Sequence, residues 1–389
     1  MNRTKEPFYI IAKPIGSLCN LNCTYCYYLK KEKLYPQNKS KQDFTINDQV
    51  LEKFIDQYIN SQPENYNEVY FIWQGGEPTL LDINFFKKII TLQEKYKTNN
   101  IKIKNFFQTN GKTLNEDFVK LFKDNNFLVG ISIDGPQDLH DYYRVNKNGE
   151  GSFEQAIKAL DMLIKFGVEF NTLTVVHNYN ANYPDKVYDF LKSIGSTFMQ
   201  FIPIVEPDDN KIVTEWSVGS SQWGNFMNGI FKNWLNDIGN IFIQQFDVIL
   251  GCYFNIPSSI CTFSKQCGKG LVIEHNGDIF SCDHFVFPEY YLGNINKNSL
   301  SSLIQSEAQI AFGENKYLSL PDKCLGCKYL PFCYGGCPKD RVIKKDDEYL
   351  NWLCEGYYSF FNNTEPYFKA MASAIHNNKS ASDYKEYLL

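Results

Sequence analysis

Cys19-Asn-Leu-Asn-Cys23-Thr-Tyr-Cys26 decides how this chain is read. Three thiolates on so short a segment can face one metal centre without help from the rest of the fold. Three is one short of the four that fill a tetrahedral zinc site or ligate every iron of a cubane cluster. A [4Fe–4S] cluster held by this set keeps one iron free for a small-molecule ligand. A structural zinc knuckle or a redox pair is the alternative that the motif alone leaves open.

On both sides of the loop, short apolar, β-branched or aromatic runs alternate with segments of helical period. Strands are predicted at Phe8–Lys13, Val69–Gln74, Ile101–Thr109, Leu128–Asp134, Glu169–Val176 and Phe198–Pro203. Helices are predicted near Asn47–Asn60, Asn84–Lys97, Asn115–Asp124, Phe153–Phe166 and Pro184–Ile194, with an amphipathic segment at Trp223–Leu235. Regular βα alternation implies a parallel sheet with right-handed crossovers. About six units are too few for the eight of a closed barrel, so the expected fold is α/β, an open partial (β/α)6 barrel. Thr45 reads as the start of the first helix, Gly167 as a left-handed cap after Phe166, and Glu206–Asn210 as a turn-rich loop.

The cysteine loop follows the first predicted strand, at the end of the sheet where βα loops collect active-site residues. The second strand runs into Gln74-Gly-Gly-Glu-Pro78. Gly75 and Gly76 let the backbone approach a ligand closely, and Glu77 can accept hydrogen bonds from an ammonium group. Alone, this stretch reads as a surface turn; beside the cysteine loop it reads as part of a site. Gln108-Thr-Asn-Gly111 and Ser132-Ile-Asp-Gly-Pro136 place further polar groups on the same rim.

The twelve cysteines are bimodal: three at 19–26, one at 252, and eight from 261 to 354. Metal ligation is the expected use of so many in a reducing compartment. Cys261 and Cys267 precede a hairpin signalled by Asn276-Gly277, the mark of a two-residue turn. Cys282 ends that hairpin, and Cys324, Cys327, Cys333 and Cys337 lead on to Cys354. Eight ligands complete two four-cysteine clusters, or equally two zinc sites, and spacing does not partition them. The expected domains are residues 1–247, residues 248–378 with an aromatic-rich helical end, and a frayed tail at 379–389. The net charge of −5 argues against a nucleic-acid partner. Met1–Pro7 is polar, and no run approaches the roughly 18 apolar residues of a membrane span, so a cytoplasmic protein is expected.

Together the Cys-x-x-x-Cys-x-x-Cys loop and Gly-Gly-Glu-Pro resemble the radical S-adenosylmethionine (SAM) superfamily, and the eight later cysteines resemble its SPASM domain. The resemblance implies three [4Fe–4S] clusters and bound SAM. Cys19, Cys23 and Cys26 would hold the first cluster, with Gly75, Gly76, Glu77, Ser132, Arg144, the Tyr25 backbone and Val205 around SAM. One auxiliary cluster would take Cys261, Cys267, Cys282 and Cys337, the other Cys324, Cys327, Cys333 and Cys354. Cys252 is left over, as a buried thiol. Across nearly its whole length the chain is similar to the anaerobic sulfatase-maturating enzymes. That similarity implies oxidation of a Cys or Ser of an unfolded or nascent sulfatase to Cα-formylglycine, with an electron donor such as a flavodoxin or ferredoxin. It also implies that Asp283 is the general base, whereas position alone reads Asp283 as a hairpin-end carboxylate. A maturase that crosslinks ribosomal peptides is the alternative; it often carries a leader-binding domain, for which a first cysteine at 19 leaves no room. A non-enzymatic iron–sulfur or zinc protein is the third reading.

Overall fold

In the computed structural model, which describes residues 3–98, 100–208, 210 and 212–388, the first three long helices begin on short polar side chains. Asn47 accepts from the Val50 N–H, Asp82 from Asn84 and Asn115 from Asp117, each satisfying a backbone donor that the first turn leaves without a partner. The cap of the first helix (Asp48–Ser61) is therefore Asn47, not the expected Thr45, whose hydroxyl donates to the Lys41 carbonyl instead. Gly167 closes the helix Phe153–Phe166 at φ +66°, as expected. Met1, Asn2, Asp209 and Leu389, parts of the expected polar start, post-strand loop and tail, lie outside the described residues, as do Asn99 and Lys211.

Among the described residues the strands are β1 (Tyr9–Lys13), β2 (Glu68–Trp73), β3 (Lys102–Thr109), β4 (Leu128–Ser132), β5 (Phe170–Val176), β6 (Phe198–Pro203), β7 (Phe242–Ile243), β8 (Gly270–Glu274), β9 (Asp278–Phe280), β10 (Tyr291–Asn294), β11 (Arg341–Lys345) and β12 (Glu348–Asn351). The six expected barrel strands are β1 to β6, alternating with helices. The chain divides into two compact units, each discontinuous in sequence. The first comprises Met1–Ser132, Arg144–Phe170 and Cys267–Glu314, as far as described; the second comprises Ile133–Tyr143, Asn171–Gln266 and Asn315–Leu389, likewise.

In the first unit the strand order is β10-β9-β8-β1-β2-β3-β4. β1 to β4 run parallel, β8 lies parallel to β1 with Lys13 opposite Glu274, and β9 and β10 turn back antiparallel. The hairpin, expected to lie within a C-terminal domain of residues 248–378, thus extends the parallel sheet on the free edge of β1. The physical reason is the backbone of β1, whose second edge would otherwise carry unpaired N–H and C=O groups beside a buried core. The hairpin turn also differs from expectation. Ile273 faces Ile279, so the loop is the three residues His275–Gly277, with Gly277 at φ +87° in the bulge position that such loops require. Between the sheet and its helices, Phe54, Tyr58, Phe71 and Trp73 form a stacked and edge-to-face aromatic core. The Trp73 indole N–H is satisfied there by Asn105, which is itself held by Gln93.

In the second unit β5, β6 and β7 are parallel, and β11 and β12 form a hairpin. Helices Ser220–Trp234 and Cys354–His376 cross backbone to backbone: a Cβ on Gly356 would lie 2.1 Å from the Ser220 carbonyl oxygen. Phe231, Phe246, Phe360 and Phe368 fill the space beside that crossing. The tail is folded, contrary to the frayed end expected. Ser380 caps a 3-10 helix, Ala381–Tyr387, that buries Tyr384 against Tyr367, because one aromatic in a polar segment suffices to dock it. Cys252, expected to be buried, is half-buried at the end of helix Gln244–Cys252, its thiol directed at the Val248 carbonyl. Among the described residues no helix is long and apolar enough to cross a membrane.

Candidate active site

Lys13 ends β1, and the next thirteen residues carry the three N-terminal cysteines across the top of the sheet. The backbone of the loop after β2 runs against them. Gly76 donates to the Gly16 carbonyl and Glu77 to the Leu18 carbonyl, each at 2.8 Å. A Cβ on Gly76 would lie 1.8 Å from the Leu18 oxygen. Gly75 has φ +143°, and a Cβ there would lie 2.9 Å from the Gly16 oxygen. The two glycines expected to admit a ligand thus first admit the cysteine loop.

Cys19, Cys23, Cys26, Tyr25, Gly75, Gly76, Glu77, Ser132 and Arg144 line one cavity of about 150 Å³. Burial, with Glu77 nearby, pushes the Cys19 thiol up to about 11, and burial raises Cys26 as well. Such thiols stay protonated until a bound cation displaces the proton to solvent, so the donor set fits a metal cluster. Among the described residues no three His, Cys, Asp or Glu side chains converge tightly enough to hold a single ion. Arg144 is buried and donates from Nη1 to the Tyr25 hydroxyl at 2.8 Å, so the Tyr25 side chain is tied to a second residue of the cavity lining, where the resemblance implied only its backbone.

Glu77 is almost wholly buried and is occupied by its own chain. Oε1 accepts from the Thr79 N–H (3.0 Å), the Thr79 hydroxyl (2.6 Å) and the Thr109 hydroxyl (2.8 Å), and Oε2 accepts from the Asn110 N–H (2.7 Å). Burial raises the carboxyl despite these four donors. Glu77 therefore pins the end of β2 to the end of β3, a role that the motif alone did not indicate.

Asp283 follows β9 and Cys282. Because β8 pairs with β1, its carboxylate meets Lys13: Oδ1 is 2.6 Å from the ammonium, and Oδ2 accepts from the Tyr27 hydroxyl at 2.5 Å. Lys13 and Tyr27 both line the cavity. Burial alone would raise the Asp283 carboxyl, but the Lys13 and His284 charges and the two hydrogen bonds outweigh it, so the group stays below the usual carboxylate range. Burial, followed by the Asp283 charge, lifts Tyr27 well above the ordinary phenol range. Sequence reasoning missed Lys13, Tyr27 and Gln74. The available signals were a lysine ending a strand, a second tyrosine beside Cys26, and a glutamine preceding the double glycine.

In the second unit Cys324, Cys327, Cys333 and Cys354 line a single cavity of about 380 Å³ with Tyr329, Tyr357 and Phe361. Burial pushes Cys324 up to about 11 and Cys333 up to about 12. Tyr334, Gly335 and Gly336 follow in left-handed conformation, with Arg341 donating to the Tyr334 and Gly335 carbonyls and Asn351 to the Gly335 carbonyl. Of the other implied set, Cys267 and Cys282 belong to the first unit and Cys261 and Cys337 to the second. Val205 also lies in the second unit, buried, its carbonyl accepting from Lys339 at 2.6 Å.

Residues 14–191 match the radical SAM superfamily and residues 261–328 the SPASM iron–sulfur cluster-binding domain. The chain is 43% identical to the serine-type anaerobic sulfatase-maturating enzyme of Bacteroides thetaiotaomicron, over 97% of this chain and 94% of that protein. It is 33% identical to a cysteine-type anaerobic sulfatase-maturating enzyme of Clostridium perfringens, over 95% and 99% respectively. A solved structure described as native anSMEcpe with bound AdoMet and Cp18Cys peptide superposes with a TM-score of 0.85 at 32% identity, covering 95% of this chain and 99% of that one. With likeness in sequence and in fold running nearly end to end, this chain belongs to the anaerobic sulfatase-maturating enzymes of the radical SAM superfamily.

Proposed function

We propose that the protein oxidises a Cys or Ser side chain of a sulfatase polypeptide, within a Cys/Ser-x-Pro/Ala-x-Arg segment, to Cα-formylglycine. The observation that carries this reading is the meeting of two features in one unit. Cys19, Cys23, Cys26 and Gly75–Glu77 line a cavity, and the Asp283 carboxylate is bound to Lys13 and Tyr27 of its wall. Family membership supplies the substrate class.

Cys19, Cys23 and Cys26 would hold the SAM-binding cluster. Cys324, Cys327, Cys333 and Cys354 would hold one auxiliary cluster, and Cys261, Cys267, Cys282 and Cys337 the other. When bound, SAM and the clusters supply a one-electron route for taking a hydrogen atom from the substrate Cβ and carrying off the electron left behind. The chain's own residues bind, orient and move the proton. Glu77 Oε2, with a single protein donor, would have a lone pair left for the SAM ammonium; Ser132, Arg144 and Tyr25, which line the same cavity, would border SAM, and Val205 would lie along its adenine. Asp283 takes the substrate's thiol or hydroxyl proton. Loss of a hydrogen atom, a proton and an electron converts C–OH to the aldehyde and C–SH to a thioaldehyde, which water hydrolyses with release of sulfide. The polypeptide enters unfolded or nascent, and an external one-electron donor such as a flavodoxin or ferredoxin reduces the enzyme.

Anaerobically reconstituted protein, incubated with SAM, a reductant and peptides carrying Cys-x-Pro-x-Arg or Ser-x-Pro-x-Arg, tests the reading by mass spectrometry. Aldehyde formation together with 5′-deoxyadenosine is expected. 5′-Deoxyadenosine with an intact or crosslinked peptide would overturn it.

A further inference from the structure

Lys13 is the buried cation nearest the candidate base, and its ammonium is engaged on three sides. Its ammonium lies 2.6 Å from Asp283 Oδ1, donates to Gln74 Oε1 at 3.1 Å and faces the Tyr28 ring, 4.3 Å from the centroid. An ammonium so engaged is not a mobile reagent. It is a fixed point between two segments, because Gln74 leads directly into Gly75–Glu77 whereas Asp283 comes from the far hairpin. On Asp283, the Lys13 ammonium lies against Oδ1 as an ion pair while the Tyr27 hydroxyl donates to Oδ2, so the carboxylate is held from both sides. Lys13 is itself almost wholly buried and lines the cavity, as Tyr27 does, so the carboxylate they hold lies directly behind the cavity wall.

We infer that Lys13 is a positioning residue: with Gln74 as its second anchor, it holds the Asp283 carboxylate where the substrate proton leaves, in register with the SAM-binding segment. The inference rests on the formylglycine reading above. It concerns geometry, and it predicts a loss in the coupling of SAM cleavage to product rather than in SAM cleavage itself. A misplacement of about 1 Å in such a group costs on the order of 10²-fold.

The test uses the reconstituted full chain and reads formylglycine formed per 5′-deoxyadenosine. Lys13→Met is expected to keep its iron and its SAM affinity, while the ratio falls roughly 10- to 10²-fold. Lys13→Arg, which keeps a cation and several donors, should restore part of the ratio. The double variant Lys13→Met/Asp283→Asn should be no worse than Asp283→Asn alone, since groups acting as a unit are not additive. If Lys13→Met does not load its clusters, Lys13→Gln and Gln74→Leu carry the same measurement. An unchanged ratio, or a double variant whose loss is the product of the two single losses, overturns the inference. Wild-type protein that cleaves SAM but makes no aldehyde overturns the formylglycine reading, and this inference with it.

Discussion

At the scale of single residues, Asp283 and Glu77 are two buried carboxylates given opposite tasks by their partners. Asp283 accepts from Tyr27 on one oxygen and has the Lys13 cation against the other, so it stays ionised and can still accept a proton. Replacement of Asp283 by Asn keeps the shape and removes the basicity. SAM cleavage and peptide binding should persist, while formylglycine falls by about 10²–10⁴-fold, measured as aldehyde per 5′-deoxyadenosine. Glu77 instead gathers four donors from two strand ends. Glu77→Ala strands those donors in a buried site, at about 1–3 kcal/mol for each that finds no water. A lower unfolding temperature should therefore accompany weaker SAM binding, with the auxiliary clusters retained. Full SAM affinity in that variant would confine Glu77 to its structural role. The motif reading of Glu77 as a ligand group alone was incomplete, because Thr109 and Asn110 reach it only once β2 and β3 are paired.

At the scale of elements, the loop after β2 and the cysteine loop are one object held by backbone contact. Gly76→Ala places a methyl group 1.8 Å from the Leu18 oxygen, a distance that only separation of the two loops relieves. The variant should lose about four of its twelve iron atoms, those of the N-terminal cluster, and keep about eight, as iron analysis of the reconstituted protein will tell. Retention of the full complement would mean that the cysteine loop tolerates the shift. The six predicted strands and the five helices between them were legible from period and caps to within about two residues, because those signals are local, whereas helices Gln244–Cys252 and Glu307–Leu318 and the β11–β12 hairpin were not foreseen. The hairpin turn was placed at Asn276–Gly277 but given two residues rather than three. Its length follows from the register of Ile273 opposite Ile279, which the dipeptide alone does not specify. The tail was misread for a similar reason: Tyr384 docks on Tyr367 from a helix it follows by a turn, and a polar composition hides that contact.

At the scale of the whole molecule, eleven cysteines in three sets should carry about twelve iron and twelve sulfide. Alanine at Cys19, Cys23 and Cys26 should remove about four of each and abolish SAM cleavage. Alanine at Cys324, Cys327, Cys333 and Cys354 should also remove about four, while the N-terminal cluster stays. Stoichiometric zinc in place of the second loss would overturn the auxiliary assignment. What the sequence determined by itself was whatever lies on one short stretch: the three-cysteine loop, Gly-Gly-Glu-Pro, the βα alternation and the late cysteine run. Spacing along a few residues already restricts which side chains can face one centre. What only the tertiary structure decided was the meeting of Lys13, Tyr27, Gln74 and Asp283, drawn from four separate segments. That meeting depends on β8 laying itself parallel to β1, a long-range pairing driven by the unsatisfied backbone edge of a buried strand, and no local pattern in the chain encodes it.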